Sequence, residues 1–308
     1  MTKEYDVIVI GAGPGGMTAT LYASRANLSV LMLDRGIYGG QMNNTAEVEN
    51  YTGFSSILGP DLGKKMYDSA MRFGADFKYG NTEKIIDNGA LKHVVTDDGE
   101  YDAKVVIIAT GSEHRKLQVP GEEKYNGRGV SYCAVCDGAF FKNQTVAVIG
   151  GGDSAVEEGL YLANLAKEVI VIHRRDQLRA QKILQKRAFA NDKMRFIWNA
   201  QVESIEGDDQ GVTGVHYRDK VTDEQHTLPA NGTFIYVGLR PMNEAFKDLN
   251  ICDEKGWVIT NERMATSHPG IFAIGDVRAD SIRQIATAVG DGSIAGQEAF
   301  NYIQSLND

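Results

Sequence analysis

The chain has 308 residues, enough for roughly two domains that each bury a core of their own. Its 32 Lys and Arg against 41 Asp and Glu leave a net charge of −9, which excludes a general attraction to nucleic acid or to an anionic membrane surface. No apolar run approaches the roughly 20 residues of a membrane-spanning helix, so the composition reads as a soluble, cytoplasmic globular protein.

Residues 5–10 form an almost wholly apolar, β-branched run, the pattern of a parallel strand buried on both faces. Gly11, Gly13, Pro14 and Gly16 come next, in the order GAGPGG, and an Ala- and Leu-rich helical pattern then covers 17–28. Such glycines allow a tight turn and let the backbone approach a pyrophosphate, which the new helix's N-terminus stabilises. A lone glycine turn is a weak signal. Here a second strand over 29–33 ends in Asp34, placed where a carboxylate binds the adenosine ribose hydroxyls. The glycine-punctuated loop that follows, with Gly40, Gln41 and Asn50, is too long for a simple turn and reads as ligand lining. A helix is expected over 60–74, with Leu62, Met66, Ala70 and Phe73 on its core face, then short strands and turns to 99. Residues 105–108 are a second buried strand that runs out through Ala109, Thr110 and Gly111, and the first domain boundary is placed just beyond it.

Cys133 and Cys136 are separated by Ala134 and Val135, with Asp137 directly behind them. Two thiols at this spacing can close a short disulfide, and an adjoining carboxyl can carry protons to or from a leaving thiolate. A zinc site would need a second ligand pair, yet the one other cysteine is Cys252 and no His stands three to five residues from another, so no metal is expected. A structural disulfide would suit a secreted chain, but the first residues lead straight into a strand with no apolar signal segment. Redox chemistry is the expectation for the pair, with Cys252 as a spectator.

Beyond the pair the chain repeats its opening. A strand over 145–149 runs into Gly150, Gly152, Asp153, Ser154 and Ala155, a GxGxxA turn, followed by a helix to 165 and a strand over 168–172. His173 ends that strand at the same distance from its glycine turn as Asp34 from Gly11, and Arg174, Arg175 and Arg179 follow it. An acid in this register would repel a 2′-phosphate, whereas guanidinium groups pair with it, so the second site is expected to take NADPH over NADH. Residues 232–238 close the second domain with another strand and glycine, as at Gly111. The tail supplies a strand ending in Gly275 and Asp276 and, from Arg283, Gln284 and Ile285 onward, a helix with apolar positions at Ala286, Val289, Ile294 and Phe300. An acid at a strand end can hold a ribityl hydroxyl, and a helix N-terminus can stabilise negative charge on a reduced flavin ring. The first domain is therefore expected to be discontinuous, 1–112 with 245–308, and the second to span 113–244.

Together the glycine turn at Gly11, the loop of Gly40, Gln41 and Asn50, Ala109-Thr110-Gly111, Cys133-Ala134-Val135-Cys136-Asp137, the turn at 150–155, His173-Arg174-Arg175 with Arg179, and Gly275-Asp276 with Arg283-Gln284 carry a resemblance. The chain resembles the low-molecular-weight, bacterial-type thioredoxin reductases along nearly its whole length. The resemblance implies an α/β fold of two Rossmann-like three-layer dinucleotide-binding domains, the second inserted into the first. It implies FAD in the first domain, NADPH in the second, a homodimer, and thioredoxin as the protein substrate. Electrons would pass from NADPH through FAD to the Cys133–Cys136 disulfide and on to oxidised thioredoxin by dithiol–disulfide exchange. Cys136 would face the flavin, Cys133 would attack thioredoxin and Asp137 would be the acid. Asp34 departs from the family's commoner Glu and keeps the charge on a shorter reach. Two other readings share these motifs: a flavin NADPH reductase of another disulfide or peroxidase partner, and a dinucleotide-binding redox sensor with the Cys pair as its switch.

Overall fold

The first strand, β1 (Lys3–Ile10), runs through the middle of its sheet because both of its faces are apolar: Val7 and Val9 enter one core, Ile8 and Ile10 the other. The computed structural model describes residues 3–45 and 47–306; Met1, Thr2, Ala46, Asn307 and Asp308 lie outside the described residues. α1 (Pro14–Arg25) begins on Pro14, whose fixed φ and missing N–H suit a first helical turn. β2 (Val30–Asp34), α2 (Gly59–Met71), β3 (Asp76–Tyr79), β4 (Thr82–Asn88), β5 (Leu91–Thr96) and β6 (Gly99–Ile108) follow. Leu62 and Ala70 of α2 are buried as expected, but Phe73 is 45% exposed, because the helix stops at Met71 and the ring lies under the guanidinium groups of Arg25 and Arg72.

The chain then builds a second unit. α3 (Ala134–Asp137), β7 (Thr145–Gly150), α4 (Asp153–Leu165), β8 (Glu168–Ile172), α5 (Lys182–Phe189) and β9 (Met194–Ile197) are followed by three antiparallel strands, β10 (Ala200–Asp208), β11 (Gly211–Asp219) and β12 (Gln225–Pro229). β13 (Gly232–Tyr236) closes a parallel sheet in the order Val130–Ser131, β13, β7, β8, β9. The C-terminal part returns with β14 (Ile271–Ala273) and α6 (Ile285–Ser305). β1 lies along one edge of β6; along the other, β14 pairs in parallel with the end of β6 and β5 antiparallel with its early residues, so that edge serves two neighbours in turn.

Two compact units result, Met1–Glu113 with Arg240–Asp308, and His114–Leu239. The connecting strands Ser112–His114 and Leu239–Pro241 pair with each other. Residues 240–244, expected in the second domain, go with the first unit: Thr110 Oγ1 donates to the Met242 carbonyl at 2.7 Å, and the Met242 amide donates to the Gly111 carbonyl at 3.1 Å. Among the described residues no helix is long and apolar enough to cross a membrane.

α6 departs from its expected face. Its buried side is Ala288, Asp291, Gly292, Ala295, Gly296, Ala299 and Ile303, while Ala286 is exposed and Ile294 is 39% exposed. Small residues win because they let α6 lie directly on α1: a Cβ added at Gly296 would sit 2.7 Å from Tyr22 Cβ and 2.8 Å from the Ala19 carbonyl oxygen. Gly296→Val is accordingly expected to destabilise the fold by about 1–3 kcal/mol through overpacking. Urea unfolding followed by circular dichroism checks this, and an unchanged midpoint would show that the two helices have room to spare.

Candidate active site

Cys133 and Cys136 are joined as a disulfide with Cα atoms 5.4 Å apart. The local fold explains the placement. Cys133 is extended, Ser131 Oγ accepts its amide N–H at 3.0 Å, and the chain then turns into the single turn of α3, where the Cys136 amide donates to Cys133 Sγ at 3.1 Å. Ala134 is buried, Cys133 and Asp137 are half-buried, and Cys136 is exposed. The Asp137 side chain makes no capping hydrogen bond to the turn that follows, so it is not held as a structural cap. Three residues past it, Phe140 is 76% exposed. Cys252, in the first unit, is half-buried, and burial pushes its thiol pKa up.

One acid bonded to the turn that bears the disulfide was not singled out from the sequence. Glu158, on α4, has its Oε2 atom buried without a hydrogen-bond partner, while the Ala134 amide and the Tyr236 hydroxyl hydrogen-bond to its carboxyl group. The Ala134 amide also donates to Tyr236 Oη at 3.1 Å. Burial pushes the Glu158 carboxyl up to about 7, against the lowering effect of the Ala134 amide. Burial first, and Glu158 next, push the Tyr236 phenol up. The available sequence signal was a pair of adjacent acids, Glu157 and Glu158, in the middle of α4.

Beyond the C-terminal end of β8 in the same unit lies a cleft of about 580 Å³, lined by residues 174–179, Asn199 and Lys220. Arg174, Arg175 and Arg179 thus meet as expected, and the Arg179 amide ties them to the glycine turn by donating to the Gly151 carbonyl at 2.7 Å. Lys220 was not foreseen. It follows directly on β11, and its Nζ donates to the Arg174 carbonyl at 3.3 Å, so the cleft holds four cations against the single acid Asp176. Asp153 accepts from the amide and side chain of Gln181 at 2.7 and 3.0 Å, and Ser154 is exposed. His173 differs from its expected place. Its ring is 4% exposed, lies against Gly151, meets Trp198 edge-on at 6.4 Å, and is no part of the cleft lining. Burial, with Arg179 beside it, lowers the imidazole pKa.

In the first unit the expected residues gather about the C-terminal ends of four adjacent parallel strands, β2, β1, β6 and β14, where open α/β sheets bind their ligands. Gly11 turns the chain at φ +114, and a side chain there would strike the Ala109 carbonyl. Asp34 receives the Ala12 amide at 2.6 Å and the Gly36 amide at 2.8 Å, so its carboxylate braces the turn; burial raises its pKa against those bonds. The Gly39 amide donates to the Ala12 carbonyl at 2.8 Å, bringing Gly40 to Gly13, and Gln41 Nε2 donates to the Ser112 carbonyl at 3.0 Å. Asn50 Nδ2 donates to Gln284 Oε1 at 3.0 Å, joining two expected residues far apart in sequence. Gln284 and Thr287 form a capping box that starts α6 at Ile285. Burial pushes Asp276 up to about 6 while the positive charge of Arg283 opposes it. Arg283 lies 4.0 Å over the Trp257 ring. Asp291, missed in the sequence, accepts from the Gly275 amide at 3.0 Å and pairs with Arg278 at 2.8 Å.

Residues 5–292 match the family model described as pyridine nucleotide-disulphide oxidoreductase. The chain belongs to this family. It is 57% identical to a thioredoxin reductase of Listeria monocytogenes over 99% of this chain and 96% of the relative, and 54% identical to one of Bacillus subtilis over 99% and 97%. Among solved structures, a Lactococcus lactis thioredoxin reductase matches with a TM-score of 0.96 at 53% identity, covering 98% of this chain and 99% of that one. A thioredoxin reductase of T. acidophilum matches at 0.94 with 38% identity, over 99% of each. The chain is thus a disulphide oxidoreductase of the thioredoxin reductase group. Membership of the pyridine nucleotide-disulphide oxidoreductases implies use of a flavin and a nicotinamide dinucleotide, and the residues present fit both. Nothing lies within 4 Å of a Cβ added at Gly13 or Gly152, so each turn is open to an approaching phosphate, and the first turn of α1 carries no acid. Arg283 Nε is buried without a partner, a donor suited to an anionic group.

Proposed function

We propose that the chain is an NADPH-dependent thioredoxin reductase that binds FAD in its first unit and NADPH in its second. The observation that carries this reading is a disulfide, with one sulfur-bearing residue exposed, in the same unit as a cleft of four cations. FAD, when bound, supplies the two-electron relay between nicotinamide and disulfide.

Each remaining role falls to a side chain or amide of this protein. Gly11, Gly13, Pro14 and Gly16 hold the FAD pyrophosphate and Asp34 the adenosine ribose. Gly40, Gln41, Asn50, Ala109, Thr110 and Gly111 line its course, with Gly275, Asp276, Arg283, Gln284 and Ile285 toward the ring. Gly150, Gly152, Asp153, Ser154 and Ala155 form the NADPH turn, and Arg174, Arg175 and Arg179, helped by Lys220, read the 2′-phosphate. Because His173 is buried under Gly151, it supports that turn from below and does not touch the coenzyme. Cys133 attacks the thioredoxin disulfide, since the Cys136 amide pointed at its sulfur stabilises a thiolate there. Cys136 then resolves the mixed disulfide, Asp137 exchanges the proton, and the exposed Phe140 offers an incoming protein an apolar contact. The family resemblance supports a homodimer, which sedimentation tests.

Steady-state oxidation of NADPH by the FAD-loaded protein, with thioredoxin as sole acceptor, tests the proposal. Many turnovers per enzyme are expected. A single turnover followed by arrest would instead favour a redox sensor.

A further inference from the structure

We propose that Glu158 is the proton-holding positioning residue of the Cys133–Cys136 couple, taking up one proton when the disulfide opens and releasing it when the disulfide closes. The inference deepens the disulfide-reductase reading and rests on it. Three groups carry it: Ala134, whose amide lies between the two cysteines in the chain; Tyr236 on β13, which accepts that amide at 3.1 Å; and Glu158 on α4, with one buried, unpartnered oxygen. A carboxylate with one oxygen buried and unpaired has somewhere to put a proton. The same amide is shared between the acid and the turn that bears the sulfurs, so charge appearing on sulfur is felt at Glu158. Other charged or titratable groups nearby are Asp137 on α3, Glu157 beside it on α4, and His114, whose ring meets Tyr236 edge-on at 5.6 Å.

On reduction the S–S bond breaks and two electrons enter. One sulfur takes a proton and becomes a thiol, the other stays a thiolate, and the Glu158 carboxylate takes a second proton. The local charge is −1 before and −1 after, which a low-dielectric site favours over a pile-up of two negative charges. On oxidation the thiolate attacks the partner's disulfide and one partner sulfur leaves. The thiol then loses its proton as it closes the enzyme's own disulfide and expels the second partner sulfur. That proton and the one from Glu158 leave with the two partner thiols.

Burial has raised the Glu158 pKa to about 7, so above that pH the acid is ionised while the disulfide is closed. A thiolate forming nearby raises it further, and in the window between the two values reduction protonates Glu158. Below about 7 the acid is already neutral and reduction changes nothing there.

Redox-difference infrared spectroscopy of the holoenzyme tests this, with dithiothreitol as reductant so that the result does not depend on NADPH. At about pH 8, reduction of the wild type should raise a protonated-carboxyl band that is absent from Glu158→Gln, shifted in Glu158→Asp, and kept in Asp137→Asn. At about pH 6 the band should not appear on reduction. Subtracting Glu158→Gln from wild type cancels the flavin signals, and yellow colour with NADPH bleaching shows that a variant is folded. If Glu158→Gln fails to fold, the pH dependence of the wild-type band and its shift in Glu158→Asp decide. No band in the wild type at about pH 8, or a band that persists in Glu158→Gln or vanishes in Asp137→Asn, overturns the proposal. Failure of the underlying reading would look different: NADPH would leave the Cys pair closed in every protein, wild type included.

Discussion

Cys133→Ser and Cys136→Ser are each expected to abolish NADPH-driven reduction of thioredoxin while NADPH still bleaches the bound flavin. A flavin held in the first unit would accept hydride from the nicotinamide without either sulfur, whereas on this reading the pair is the exit for electrons to thioredoxin. The two variants should also differ from each other. With Cys136 gone, Cys133 keeps its attack but loses its resolving partner, so a stable mixed disulfide with thioredoxin should accumulate. With Cys133 gone, the sulfur that accepts the Cys136 amide is missing, and trapping should be weaker. Anaerobic absorbance spectra and non-reducing electrophoresis read both outcomes. Thioredoxin turnover surviving in either variant would refute an obligatory relay.

Arg174→Ala combined with Arg175→Ala should lower kcat/KM for NADPH on the order of a hundredfold or more, because each charge-assisted bond to a phosphate is worth ~1.5–3 kcal/mol. NADH has no 2′-phosphate and should scarcely respond. Arg179 and Lys220 remain in the cleft and set a floor under the loss, so adding Lys220→Ala should deepen it for NADPH alone. The comparison of coenzymes is the informative part. Equal losses for both would mean that these side chains hold the fold rather than read the phosphate.

The parts legible in the sequence were those written in local chemistry. β1, β7 and β8 were readable because a strand buried on both faces must be apolar throughout, and the glycine turns were readable because few other residues tolerate the backbone at Gly11 or Gly150. Asn50 is legible as part of a long ligand-lining loop and Gln284 as a helix start, and a hydrogen bond across the first unit joins them. What escaped depended on tertiary detail. Hydropathy marks large apolar residues, so it passed over the glycines and alanines with which α6 meets α1. The register of His173 fixed where its Cα would stand but not that the ring would turn under Gly151. Lys220 reaches the arginine cleft from a strand layer that the dinucleotide pattern does not require, and Glu158 looks like one more helix acid until the fold bonds it to the Ala134 amide between the two cysteines.

The most direct test counts thiols. The holoenzyme is reduced with NADPH under anaerobic conditions, alkylated, and mapped by mass spectrometry, with and without subsequent oxidised thioredoxin. Labels on both Cys133 and Cys136 after NADPH, lost again after thioredoxin, with Cys252 unchanged throughout, are the expected result. A bleached flavin beside a Cys133–Cys136 disulfide that stays closed would contradict the relay on which the proposed activity stands.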